Sequence, residues 1–159
     1  MGFGMTMRGK RRSKSGLRGV TRLYAVQVMY KAGFEKKSLD KILAEAEQNP
    51  KTMISEEFSL DKIDLGFFTE LMMQMKEHRE EVDKLIKKNI AQNWSFDRLN
   101  RVMLALLRLG VCEIVYMNNI PANVSFSEYI EVAKAFFKKK EVGFVNGMLN
   151  AVYEQQKSA

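Results

Sequence analysis

The stretch Val102-Met103-Leu104-Ala105-Leu106-Leu107-Arg108-Leu109-Gly110-Val111-Cys112-Glu113-Ile114-Val115-Tyr116-Met117 decides the fold class. Its apolar residues recur at three and four, through Val102, Met103, Leu106, Leu107, Val111, Ile114 and Val115, which is the period of an α-helix. Because apolar side chains also cover most of the remaining circumference, this helix belongs at the centre of a core. A membrane span needs about 20 apolar residues in a row, whereas this run is shorter and carries Arg108 and Glu113. Charges at such positions need partners, so each is expected in a structural ion pair. Cys112 reads as a small buried hydrophobe.

Working outward, the same spacing recurs and an alternation of two does not, so the expected class is all-α. A first helix is predicted from about Leu17 to Ala32, ending near Gly33. A second is predicted over Ser38 to Glu47 with Ser38 as its N-cap. The polar segment from Gln48 to Glu57 around Pro50 reads as a loop. Leu60 to Asn89 fits one long helix, or two with a break near Lys76 to His78. Trp94 sits in a short loop, after which Ser95 or Asp97 can cap the central helix. Asn118, Asn119, Ile120 and Pro121 end it. Ser125 to Phe137 and Glu141 to Tyr153 complete the set, the former opened by a capping box of Ser125 and Glu128 and the two joined through Lys138, Lys139 and Lys140. The expected organisation is a basic arm over residues 1–16 and one helical domain over 17–156.

A chain of 159 residues can bury roughly 68–70% of its unfolded surface and needs no staple. One cysteine, Cys112, and one histidine, His78, allow no intramolecular disulfide and supply too few soft ligands for a zinc site. No metal or cofactor is expected, and a reducing cytoplasm is the predicted compartment. The segment after the first basic run is too polar for an export signal. His78 lies among Glu77, Arg79, Glu80 and Glu81 and reads as a solvated surface histidine. No nucleophile stands beside a credible base, and an enzyme is not expected.

Charge carries the functional signal. Residues 1–22 hold Arg8, Lys10, Arg11, Arg12, Lys14, Arg18 and Arg22 and no acid, which accounts for the whole net charge of +7. A basic arm on a neutral body attracts a polyanion, nucleic acid or an anionic membrane. Arg18 and Arg22 are four apart and share a helical face, where both can reach one phosphate strand. Phe136, Phe137, Lys138 to Lys140 and Phe144 add cations and aromatic rings, the combination that holds unstacked RNA bases. Phe144 is the expected stacking residue, Phe137 the expected core one. A site joining this turn to the arm would read single-stranded RNA.

Several motifs then coincide in order: the arm running into Ala25-Val26-Gln27-Val28-Met29-Tyr30; Asn93-Trp94-Ser95 through Leu107-Arg108-Leu109-Gly110-Val111-Cys112-Glu113; Pro121 before Ser127-Glu128-Tyr129-Ile130-Glu131-Val132-Ala133-Lys134; and Phe144-Val145-Asn146-Gly147-Met148-Leu149. On these, about residues 10–153, the chain resembles the NusB family of transcription antitermination factors. The resemblance implies a bundle of two packed three-helix-like halves. It also implies a non-catalytic factor that binds boxA leader RNA, pairs with the ribosomal small-subunit protein NusE, and joins an RNA polymerase complex that reads through terminators. Carried over by motif, Arg11, Arg12, Lys14, Arg18 and Arg22 would hold phosphates, and Lys140, Gly143 and Phe144, with Phe136 nearby, would share that RNA surface. Tyr30 and the helix from Asp97 would face the protein partner. Met103 and Leu104 stand where family members often carry an acidic then a basic residue of that contact, and Lys140 stands where a polar or acidic residue is usual. A homodimer of the free protein is a further expectation. The alternatives are a helical protein-interaction module, or a relative of the RNA-binding domain that heads certain ribosomal RNA cytosine methyltransferases.

Overall fold

A computed structural model describes residues 14–48, 63–91 and 93–158. Among them lie six α-helices and no strand: α1 Lys14–Ala32, α2 Lys36–Gln48, α3 Leu65–Asn89, α4 Arg101–Tyr116, α5 Ala122–Phe136 and α6 Lys139–Ser158. The all-α expectation holds. Helices α4, α5 and α6 pack on one another, α2 packs on α3, and α4 packs against α1, α3, α5 and α6. Its buried face includes Val102, Met103, Leu106, Leu107, Leu109, Val111, Cys112 and Ile114, so it is the central core helix its sequence predicts.

Gly110 lets this centre close. A Cβ there would lie 3.3 Å from both Leu149 methyl carbons and 3.3 Å from Tyr129 Cγ, so even a methyl group requires these side chains to give by a few tenths of an ångström, and a bulkier residue would overpack the contact. Arg108 and Glu113, the charges in the interior of α4, are satisfied by neighbouring helices. Arg108 donates two hydrogen bonds to Asp83 on α3, at 2.8 and 3.0 Å, and its guanidinium lies 4.9 Å from the centre of the Phe34 ring. Glu113 is fully buried and reaches α1 and α5. Burial pushes the Cys112 thiol well above its usual range, with the charge of Glu113 adding to the shift.

Several boundaries differ from the sequence expectations. Helix α1 begins at Lys14 rather than Leu17. Helix α2 starts two residues before Ser38, so Ser38 lies inside its first turn. Helix α3 is a single helix without a break, and it starts at Leu65 rather than Leu60 because the Asp64 side chain accepts from Phe67 N at 3.0 Å. The cap of α4 is Asn100, whose side chain accepts from Val102 N and Met103 N; Ser95 and Asp97 belong to a 3-10 turn before it. Ser125 caps nothing. Helix α5 starts after Pro121, whose ring cannot donate to the helix it opens, and Ser125 is buried with its hydroxyl donating to Glu113 at 2.6 Å. His78 is half-buried rather than solvated, its ring stacked on Tyr116 at 3.7 Å and 1°. None of the described helices is long and apolar enough to cross a membrane.

Candidate nucleic-acid interface

The C-terminal end of α3, the turn before α4 and the first half of α6 enclose a groove of about 450 Å³ lined by Asn89, Asn93, Trp94, Lys140, Gly143 and Phe144 among others. Each wall has a local cause. Asn89 ends α3 and exchanges amide hydrogen bonds with Gln155, at 2.7 Å in one direction and 3.4 Å in the other. The backbone of Trp94 donates to Ala91 O at 2.9 Å, which fixes the turn and lays the indole on Phe144, ring centres 4.1 Å apart at 24°. Lys140, Gly143 and Gly147 lie three and four apart on α6 and so on one face. Nothing lies within 4 Å of where a Cβ would stand at Gly143 or Gly147, which leaves this stretch of helix as a bare groove wall. Lys138, Lys139 and Lys140 are exposed at the head of α6. Such a site can hold a planar ring beside an anion.

The structure therefore brings Lys140, Gly143 and Phe144 together, as the motif carry-over expects. It modifies the role of Phe144, which is 9% exposed and lies under Trp94. Phe136 and Phe137 pack at a tilt nearby, ring centres 6.2 Å apart at 50°, both half-buried. The residues missed by sequence reasoning are Trp94 and Asn93. Their signal was present in the Asn93-Trp94 motif, but a tryptophan in a turn does not reveal which helix it will meet.

Arg22 requires a correction. It is 2% exposed, and its guanidinium is occupied: Nε donates to Glu113 Oε1 at 2.9 Å, Nη2 to Glu113 Oε2 at 2.7 Å and Nη1 to Glu128 at 3.0 Å. The Phe67 ring lies 4.9 Å from its centre. Burial opposes the charge, yet the hydrogen bonds and the negative charge of Glu113 outweigh it and raise the arginine above its ordinary pKa. The residue is a core pin between α1, α4 and α5, not a phosphate ligand. Its sequence neighbour on the same face, Arg18, is half-buried against Phe67 and lies 3.5 Å from Asp64. The two arginines share a face as expected, but that face is packed against protein.

Arg18, the more exposed of the two arginines of the described α1, lies away from the groove. Arg18 sits at Asp64, the N-cap of α3, while the groove meets Asn89, the last residue of that 25-residue helix. At 1.5 Å per residue these ends are about 37 Å apart. Arg11 and Arg12, and the side chain of Lys14, lie outside the described residues.

The expected partner-facing residues divide as well. Tyr30 at the end of α1 is half-buried, its carbonyl accepting from Arg101 Nη2 at 3.1 Å and its ring 5.4 Å from that guanidinium. Asp97 is exposed and Leu104 half-buried. Met103 is 2% exposed and cannot meet a partner, because its position on α4 points into the core. Arg101, which sequence reasoning did not single out, holds this corner. A polar cleft of about 520 Å³ adjoins it, lined by Gly33, Glu35, Arg79, Asp83, Arg101 and Arg108 among others.

Known proteins share this fold. The NusB family model matches residues 20–154. The transcription antitermination protein NusB of Novosphingobium aromaticivorans is 36% identical over 135 residues, covering 85% of this chain and 91% of the relative. That of Sphingopyxis alaskensis is 34% identical with the same coverage. Among solved structures, T. maritima NusB superposes with a TM-score of 0.65 over 94% of each chain at 23% identity, a likeness of fold. A family match over most of the chain, two relatives above 30% identity, and a shared helical fold lead to one conclusion: the chain belongs to the NusB family of transcription antitermination proteins.

Proposed function

We propose that this protein binds boxA-type single-stranded leader RNA together with a ribosomal small-subunit protein of the NusE kind, and that the pair promotes read-through by RNA polymerase. The observation that carries this reading is the groove in which Lys140 stands beside the Trp94–Phe144 stack. Single-stranded RNA is bound by cations that track phosphates and rings that stack on splayed bases, whereas a duplex keeps its bases out of reach. The basic arm adds attraction that no base sequence alters. For the protein partner, the corner where exposed Arg101 meets half-buried Tyr30 offers a mixed polar and apolar face, and Asp97 is exposed in the turn before α4.

The test is fluorescence anisotropy of a labelled boxA RNA against a scrambled one, with and without the NusE-like protein. Preference for boxA that strengthens with the partner is the expected result. Equal binding to both RNAs, with no gain from the partner, would sink the antitermination reading. A second reading, a helical protein-interaction module with an incidental basic arm, draws on that Tyr30 corner. Loss of RNA binding on removal of residues 1–16 would count against it.

A further inference from the structure

We infer that Trp94 is the base-stacking platform of this groove, with Phe144 as the support beneath it, and that the ligand it takes is one unstacked nucleobase of a single-stranded RNA. The inference rests on the RNA reading above and assigns the stacking role to a different residue. Phe144 is 9% exposed and its ring is covered by the indole at 4.1 Å, so no base can lie on it without displacing Trp94. Trp94 is half-buried and lines the open groove, and a ring stacked on one side keeps its second face for another ring. The indole also offers the largest π surface among the protein side chains, with an N–H as a polar handle.

The surroundings fit that ligand. Along the same groove, Gly143 and Gly147 leave open space where any other residue would place a Cβ. Glycine inside a helix is destabilising relative to alanine, a penalty this stretch of α6 carries twice. Lys140, one turn before Gly143 and Phe144, is exposed on the same wall and supplies a cation for the phosphate adjoining a stacked base. Asn93 is exposed at the rim, where a side-chain amide can both donate to and accept from a base edge.

Trp94 is the sole tryptophan of the chain, so its emission reports on this one position. The full chain is titrated with a dye-labelled boxA-type RNA oligonucleotide, reading RNA anisotropy and tryptophan emission in parallel. The expected result is quenching that saturates together with the anisotropy. Trp94→Phe should retain most of the affinity, while Trp94→Leu, which keeps an apolar side chain without a π face, should bind roughly 5- to 150-fold more weakly. Circular dichroism melts check that both variants are folded at the assay temperature. Anisotropy that saturates with unchanged tryptophan emission, or wild-type affinity in a folded Trp94→Leu variant, would overturn the assignment and leave the RNA reading standing. Failure of the wild-type chain to bind any oligonucleotide would overturn both.

Discussion

Replacing Arg22 with alanine removes the guanidinium from three hydrogen bonds with Glu113 and one with Glu128. Glu113 is 0% exposed and would lose its buried cationic partner while keeping the Ser125 hydroxyl. Breaking a buried ion pair from one side costs about 3–5 kcal/mol, since the remaining charge stays out of water. In a domain of this size that corresponds to a fall in Tm of roughly 6–20 °C. Urea unfolding followed by circular dichroism at 222 nm measures it, and a cycle with Glu113→Leu separates the pair from its surroundings. The double variant Arg22→Met with Glu113→Leu should recover most of the stability, because well-packed apolar residues often replace a buried pair at no cost. Arg22→Ala that costs under about 1 kcal/mol while weakening RNA binding would refute this reasoning. It would return Arg22 to the phosphate-binding role expected from sequence.

Three other outcomes follow from the geometry. Gly110→Val should destabilise by about 1–3 kcal/mol through overpacking against Leu149 and Tyr129, and an unchanged urea midpoint would show that α6 yields freely. Lys140→Asp should weaken boxA RNA and flatten the salt dependence by about 0.7 in slope, the share of one phosphate no longer neutralised; a gain in affinity would remove Lys140 from the site. Burial, reinforced by the charge of Glu113, raises Tyr129 well above the usual phenol range, and burial with the charge of Glu45 pushes Tyr24 up to about 12. For an acid whose folded pKa is raised, stability is intact below the unfolded value near 10 and falls as pH rises through it. Tyr129→Phe removes one of these buried hydroxyls and should blunt that alkaline fall. An identical alkaline midpoint in wild type and variant would exclude Tyr129 as its source.

Much of the fold is written in local periodicity. The run from Val102 to Met117 announces a central helix because helical spacing and apolar content depend on nearby residues alone. The same holds for the two charges on it, since a half-buried Arg108 and a buried Glu113 require partners wherever those partners come from. Their identities, Asp83 25 residues away and Arg22 91 residues away, depend on how helices pack. Helix starts were less legible. Ser38, Ser95, Asp97 and Ser125 all have the composition of a cap, yet Asp64 and Asn100 perform that task, because a cap is set by the angle at which the chain enters.

The candidate site divides along the same line. Local composition and spacing suffice to read an all-helical chain, a basic arm holding the net charge, and a lysine and aromatic cluster at the head of α6. The sequence also carried the motifs of its family. Tertiary structure alone decided which charges and rings are available to a ligand. Arg18 and Arg22 are equivalent on a helical wheel, but the packing of α1 on α3, α4 and α5 turns Arg22 into the core and holds Arg18 against Asp64. Phe144 and Trp94 lie 50 positions apart in the sequence, and only the approach of α6 to the turn before α4 sets one upon the other. The physical reason is common to both: periodicity specifies which side of a helix is apolar, while the exposure of a side chain depends on what the rest of the chain places over it.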